Sequence, residues 1–198
     1  MKTIGITGSM GSGKSTVREI IAKQGFSTID ADSLAKEIIK SDPATHEKIA
    51  AEFGSDVYDA AGHLLPAILA QRAFGDAAKI DKLNNIVHPR VFEKVDAAIA
   101  RLEAENQKVV FVEAALFFET GWNERVDMMV AVSAPESMRI KRLQKRSGLT
   151  IEQIKARFLH QLSDREKANR ADIVILNDGS RKSLKELTNQ FLQELDFL

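Results

Sequence analysis

Apolar residues along the chain gather in short runs, and the longer stretches between them carry apolar positions at helical spacing. The runs lie at 3–7, 26–30, 109–116, 126–132 and 173–176 and are rich in Val, Ile and Phe. They are too uniformly apolar for a sheet with one wet face and predict strands buried on both sides. Between the first two, Val17, Ile20 and Ile21 mark one face of a helix that Gly25 closes. Buried strands alternating with helices predict an α/β fold, a parallel sheet sandwiched by helices with its ligands at the carboxyl ends of the strands. Those ends bring four places together: the loop after residue 7, Asp30 to Asp32, Glu113 onward, and the loop after Leu176.

Two stretches are too long to be simple crossovers. Residues 31–107 contain no convincing strand, and their punctuation is helical: Asp42-Pro43 starts a helix, Gly54 and Gly75 stop helices, and Pro89 starts another that runs through Leu102. This is an inserted helical lobe, placed to bind a second substrate. After the fourth strand, Ser133 to Glu136 and Thr150 to Gln153 each fit a capping box and predict two helices joined around Gly148. The first carries "RIKRLQKR", with Arg139, Arg142 and Arg146 on one face. The expected organisation is therefore a nucleotide-binding core at 1–30, 108–134 and 171–198, a helical lobe at 31–107 and a helical lid at 135–170.

The loop behind the first strand reads Gly8-Ser9-Met10-Gly11-Ser12-Gly13-Lys14-Ser15-Thr16. Its Gly-x-x-x-x-Gly-Lys-Ser spacing is the phosphate loop, in which backbone N–H groups wrap phosphates, lysine reaches the outer ones and the hydroxyl takes Mg²⁺. Strand before and helix after are the context that the motif requires. A dinucleotide-binding reading fails because its third glycine would fall on Thr16. A nucleoside triphosphate is the expected ligand, with Ser15 toward the metal.

Composition removes several classes of protein. The 198 residues balance 28 cations against 28 acids, which argues against a bulk nucleic-acid or membrane-surface partner. The absence of cysteine excludes disulfides and thiolate catalysis and fits a reducing cytoplasm. No run reaches the length of a membrane span, and the apolar stretch in "MKTIGITGS" is too short for a signal peptide. A monomer or weak homo-oligomer is expected.

Phosphate loops serve kinases, switch GTPases, motors and binding modules, so other residues must choose among them. The guanine-reading Asn-Lys-x-Asp pattern is missing, and "VVFVEAALFFE" holds a lone Glu113 rather than a terminal Asp-Glu. A small-molecule kinase needs a lid, an acceptor lobe and a carboxylate at the acceptor hydroxyl. Asp30 and Asp32 in "IDADSLAK" are the candidates; one can cap the following helix while the other works, and Asp32 is favoured for the hydroxyl. Glu113 either holds Mg²⁺ through water or pairs with a basic residue of the lid. His46, His63, His88 and His160 lack metal-ligand spacing.

Several stretches together resemble the dephospho-coenzyme A kinase family. They are "GITGSMGSGKST", "IDADSLAKEI", "NIVHPRVFEKV", "VEAALFFETG", "MRIKRLQKRSGLTIEQIKARFLHQLSDREK" and "ADIVILNDGS", in family order and over essentially the whole chain. The resemblance implies transfer of the γ-phosphoryl of ATP to the ribose 3′-hydroxyl of dephospho-coenzyme A, with Mg²⁺. It implies Asp32 at that hydroxyl, Lys14, Arg139 and Arg142 at the transferring phosphoryl, Asn177 beside the adenine, and His88 and Arg90 in the coenzyme-binding lobe. Two positions depart from the family's usual pattern: Ser9 stands where glycine is common, and Ala115 replaces the proline of Pro-Leu-Leu-Phe-Glu. A nucleoside or nucleotide kinase with another acceptor, and an ATP-gated binding module, are the alternatives.

Overall fold

The structure is a computed structural model that describes residues 1–73 and 76–195. Five strands, β1 (Lys2–Thr7), β2 (Ser27–Asp30), β3 (Val109–Glu113), β4 (Met128–Ser133) and β5 (Ile173–Leu176), form one sheet in the order β2-β3-β1-β4-β5. Every pairing is parallel. Central β1 is buried from Thr3 to Thr7, as a strand between two parallel neighbours is expected to be. Helices α1 (Lys14–Lys23) and α9 (Arg181–Leu195) pack on it: Val17, Ile20 and Ile21 meet Ile4, Ile6, Leu184 and Phe191 in one core.

The described residues divide into two compact units, Met1–Asp30 with the chain from Leu102 onward, and Ala31–Arg101. The second is helical, built from α2 (Ala31–Ser41), α3 (Pro43–Phe53), α4 (Pro66–Ala73) and most of α5 (Ala77–Ala104). Asp42 caps α3 as expected, accepting from the Thr45 amide at 3.1 Å and hydroxyl at 2.7 Å, with proline at the first helical position. The rest of the first unit supplies α6 (Glu136–Ser147), α7 (Ile151–Phe158) and α8 (Asp164–Arg170). Among the described residues no helix is long and apolar enough to cross a membrane.

Four local expectations are corrected. Pro89 does not start a helix but sits inside α5. The lost backbone donor is outweighed by packing, since Leu83, Val87, Val91 and Val95 run at four-residue intervals along a buried stripe. The third strand ends at Glu113 rather than 116, because the apolar residues beyond it belong to a buried loop in which Phe117 stacks on Trp122 at 5.0 Å. β5 is an edge strand, and Val174 and Leu176 face solvent at 45% and 47% exposure, so not every run is buried on both sides. Residues 135–170 hold three helices instead of two, and the Ser133 box does not form. The Ser133 hydroxyl donates to Asp164 instead, while the boxes at Thr150 with Gln153 and at Ser163 with Glu166 do form. The expected stop at Gly75 lies outside the described residues.

Candidate active site

β1 delivers the chain into the loop 8–13, and α1 begins at Lys14 with Gly13 at its N-cap in a left-handed conformation. No side chain caps that helix, so its first N–H groups stand ready for an anion. Gly13 is obligatory twice over: its φ is 106°, and a Cβ there would stand 2.2 Å from Nδ2 of Asn177. Gly11, at φ 83°, is crossed by the backbone of α6: a Cβ there would stand 2.9 Å from the Arg139 carbonyl oxygen. Loop residues 9–11 and 13–16, with Arg142, Leu143 and Arg146 of α6, line a cavity of about 200 Å³. Ser9 and Ser12 are buried in the loop, and their hydroxyl oxygens have no hydrogen-bond partner among the described residues.

Beneath the loop sits Glu113, only 1% exposed at the end of β3. Its Oε1 accepts from the Ser15 hydroxyl at 2.7 Å and faces Lys14 Nζ at 3.4 Å; its Oε2 accepts from Arg18 Nε at 2.6 Å. Arg18 reaches on to Asp30 at 3.1 Å. A carboxylate so deeply buried is tolerable only with such partners. Glu113 thus pairs with cations of α1 and not with the basic residues of α6, which corrects one of the two expectations for it. Asp30 is the other acid on Arg18, an assignment that leaves Asp32 as the carboxylate to consider in "IDADSLAK".

The three arginines of α6 share a helix face but not an environment. Arg139 is buried, donates to the Ala134 carbonyl at 3.2 Å and stacks on Phe158 at 4.5 Å. Arg142 clasps the loop, donating to the carbonyls of Gly11 (3.3 Å) and Ser12 (3.2 Å) and to both oxygens of Asn177 (3.0 and 3.1 Å). Asn177 returns a bond to the Ser12 carbonyl at 2.6 Å, so the loop after β5 and the phosphate loop are tied directly. Arg146 lines the cavity. The structure therefore brings Lys14, Ser15, Glu113, Arg142 and Asn177 together, with Arg139 against the loop through its backbone.

The remaining candidates lie in the Ala31–Arg101 unit. Asp32 occupies the first turn of α2, where the helix dipole favours an acid. His88 on α5 is half-buried; burial pushes its imidazole below the ordinary range, and the Asp32 carboxylate opposes that shift only in part. Arg90 is exposed and bonds Asp42 at 3.2 Å and Glu93 at 2.6 Å. Asp42 is held below the usual carboxylate range chiefly by the Thr45 hydroxyl.

Reasoning from sequence missed Arg18, Gln161 and Lys167. Lys167 is 1% exposed and donates to the Ala115 carbonyl and, at 2.7 Å, to Glu119. Its position immediately after the Ser163–Glu166 capping box gives no sign of burial. Arg18 was legible in principle, four residues beyond Lys14 and so on the same face of the helix one turn later.

A parallel sheet with its phosphate loop after the central strand, and a basic helix laid over that loop, define a P-loop kinase. Comparisons with known proteins narrow the class. A profile of the dephospho-CoA kinase family matches residues 2–183. The dephospho-CoA kinase of Corynebacterium diphtheriae is 38% identical over 98% of this chain and 96% of its own length. Among solved structures, TT1252 from Thermus thermophilus superposes with a TM-score of 0.81 at 34% identity, covering 98% of this chain and 97% of that one. The dephospho-CoA kinase from Campylobacter jejuni gives 0.72 at 30% identity, with 98% of both chains covered. The chain belongs to the dephospho-CoA kinase family.

Proposed function

We propose that this chain transfers the γ-phosphoryl of ATP to the ribose 3′-hydroxyl of dephospho-coenzyme A, releasing coenzyme A and ADP, the last step of coenzyme A biosynthesis. The observation that carries the reading within this fold is the buried Glu113 joined to both Lys14 and Ser15 beneath an uncapped phosphate loop. In the transfer, the 3′-oxygen forms a bond to the γ-phosphorus as the bridging bond to the β-phosphate breaks. The hydroxyl proton passes to Asp32, and ADP leaves with the bonding electrons. Lys14 neutralises charge on the moving group, and the loop amides align it.

Mg²⁺ fits the residues present. The Ser15 hydroxyl and a Glu113 oxygen are hard donors 2.7 Å apart, and the described residues hold no cluster of three or more His, Cys, Asp or Glu. An ion that prefers water and phosphate oxygens would take Ser15 directly and Glu113 through water. When bound, it offsets the charge of the β- and γ-phosphates.

In this reading, residues 1–30, 108–134 and 171–198 hold the nucleotide, with Asn177 beside the adenine. Residues 31–107 hold the acceptor through His88 and Arg90, and residues 135–170 exclude water from the transfer, with Arg139 and Arg142 on the phosphate side. The protein acts in the cytoplasm, as a monomer or weak homo-oligomer, without nucleic acid or membrane.

The test is ADP release from Mg²⁺-ATP with dephospho-coenzyme A, AMP, adenosine or no acceptor. Release with the first alone, giving a product of coenzyme A mass, is expected. Release with AMP or adenosine would replace the acceptor, and binding of ATP without release in any arm would contradict the reading.

A further inference from the structure

The phosphate loop is held at its tip by a residue that no part of the motif contains. The Ser9–Met10 peptide plane is fixed from both ends: the Ser9 carbonyl accepts from the Ser12 amide at 3.0 Å, and the Met10 amide donates to Oε1 of Gln161 at 3.1 Å. The first bond is internal to the loop. The second comes from 151 positions away in sequence and reaches a residue that lines the cavity.

Gln161 is itself anchored. It lies in the turn between α7 and α8, its amide bonded to the Phe158 carbonyl at 3.1 Å, and Phe158 is the ring on which Arg139 of α6 stacks. The next residue, Leu162, donates its amide to Glu119 at 2.8 Å, and the same carboxylate oxygen accepts from buried Lys167. Lys167 also bonds the Ala115 carbonyl, which takes the Thr7 hydroxyl as well. The turn therefore braces the loop tip against two elements at once, the α6–α7 pair on one side and the loop after β3 on the other.

We infer that Gln161 is a positioning residue for phosphoryl transfer: it sets the direction of the Met10 amide and passes the placement of α6 and α7 to the phosphate loop. This rests on the kinase reading given above. A peptide plane released at one end can rotate, and each amide that follows it along the loop shifts with it. Groups that must meet a transition state tolerate little misplacement, whereas ground-state binding of a triphosphate by many donors tolerates more.

The experiment uses the full chain. Gln161→Ala is expected to lower kcat with dephospho-coenzyme A about tenfold, the rate equivalent of one hydrogen bond, while KM for ATP moves less than about threefold. The Met10 amide should exchange with solvent faster in that variant and change its ¹⁵N resonance. Gln161→Glu keeps an acceptor and should restore the Met10 signal, while its charge raises KM for ATP in a manner that salt relieves. Wild-type kcat and an unchanged Met10 amide in Gln161→Ala would overturn the inference. So would a loss of kcat that follows a loss of Tm and disappears on cooling, which is what packing alone would give. The amide measurement needs no acceptor: silence of the wild-type enzyme toward dephospho-coenzyme A sinks the kinase reading, and an unaltered Met10 amide sinks this one.

Discussion

The two units treat charge in opposite ways. Among the described residues, every buried polar or charged side chain except Thr45 belongs to the unit that carries the phosphate loop, including Glu113, Arg139, Lys167 and Asn177. The Ala31–Arg101 unit keeps its ion pairs near solvent: Lys82 with Glu52, Arg72 with Asp56, Arg90 with Asp42 and Glu93. Burial makes a charge costly to rearrange, so the first arrangement fixes geometry before a ligand arrives. Exposed pairs contribute little stability and rearrange freely, which would suit the acceptor-binding role proposed for this unit. In the proposed reading, phosphate handling is preorganised and acceptor handling is adaptable.

The contrast can be broken from either side. Lys14→Ala should have the largest effect, a fall in kcat/KM of about 10³-fold, the scale of removing one preorganised group from a transition state. Steady-state kinetics would check it, and near-normal turnover would show that the loop is not the phosphate site. Asp32→Asn should lower kcat by at least about 10²-fold with ATP affinity retained, as expected when a positioned base is lost. Glu113→Ala should destabilise the protein by about 3 kcal/mol in denaturant unfolding, because Lys14 and Arg18 would lose their shared buried partner. Arg90→Ala, by comparison, should change stability by less than about 0.5 kcal/mol despite removing two ion pairs.

The smallest effect concerns pH. The folded protein holds the His88 imidazole below its ordinary range, so on acidification the unfolded chain binds that proton first. Stability should therefore fall as pH drops from the unfolded value of about 6.5 toward the lower folded value, and be independent of this group above it. His88→Gln should flatten that part of the stability profile, and an unchanged slope would assign it to other groups.

Much of the fold and site is written in the sequence itself. The phosphate loop was legible because its chemistry is local: glycines, lysine and hydroxyl lie within nine residues and declare their backbone demands directly. The strands were legible because parallel sheets bury both faces, although the edge position of β5 depends on strand order, which no run of Val and Ile reports. Partners of buried charges were not legible. Glu113 announced itself as a lone acid in an apolar run, but its cations come from α1, nearly a hundred residues earlier, and not from the conspicuously basic α6. The helical spacing of Arg139, Arg142 and Arg146 suggested one shared task; packing gave one to an aromatic ring, one to loop carbonyls and one to the cavity wall. Pro89 misled for a related reason, since local helix grammar was overridden by a buried stripe extending on both sides of it.

The division between a fixed phosphate site and an adaptable acceptor site is tested most directly by one double variant, His88→Ala with Arg90→Ala. Calorimetry would measure its Kd for Mg²⁺-ATP, and kinetics its KM for dephospho-coenzyme A. The account predicts an ATP Kd within about twofold of wild type and an acceptor KM raised about tenfold or more, the effect of losing roughly 1.4 kcal/mol of acceptor contact. A weakened ATP Kd with an unchanged acceptor KM would contradict it.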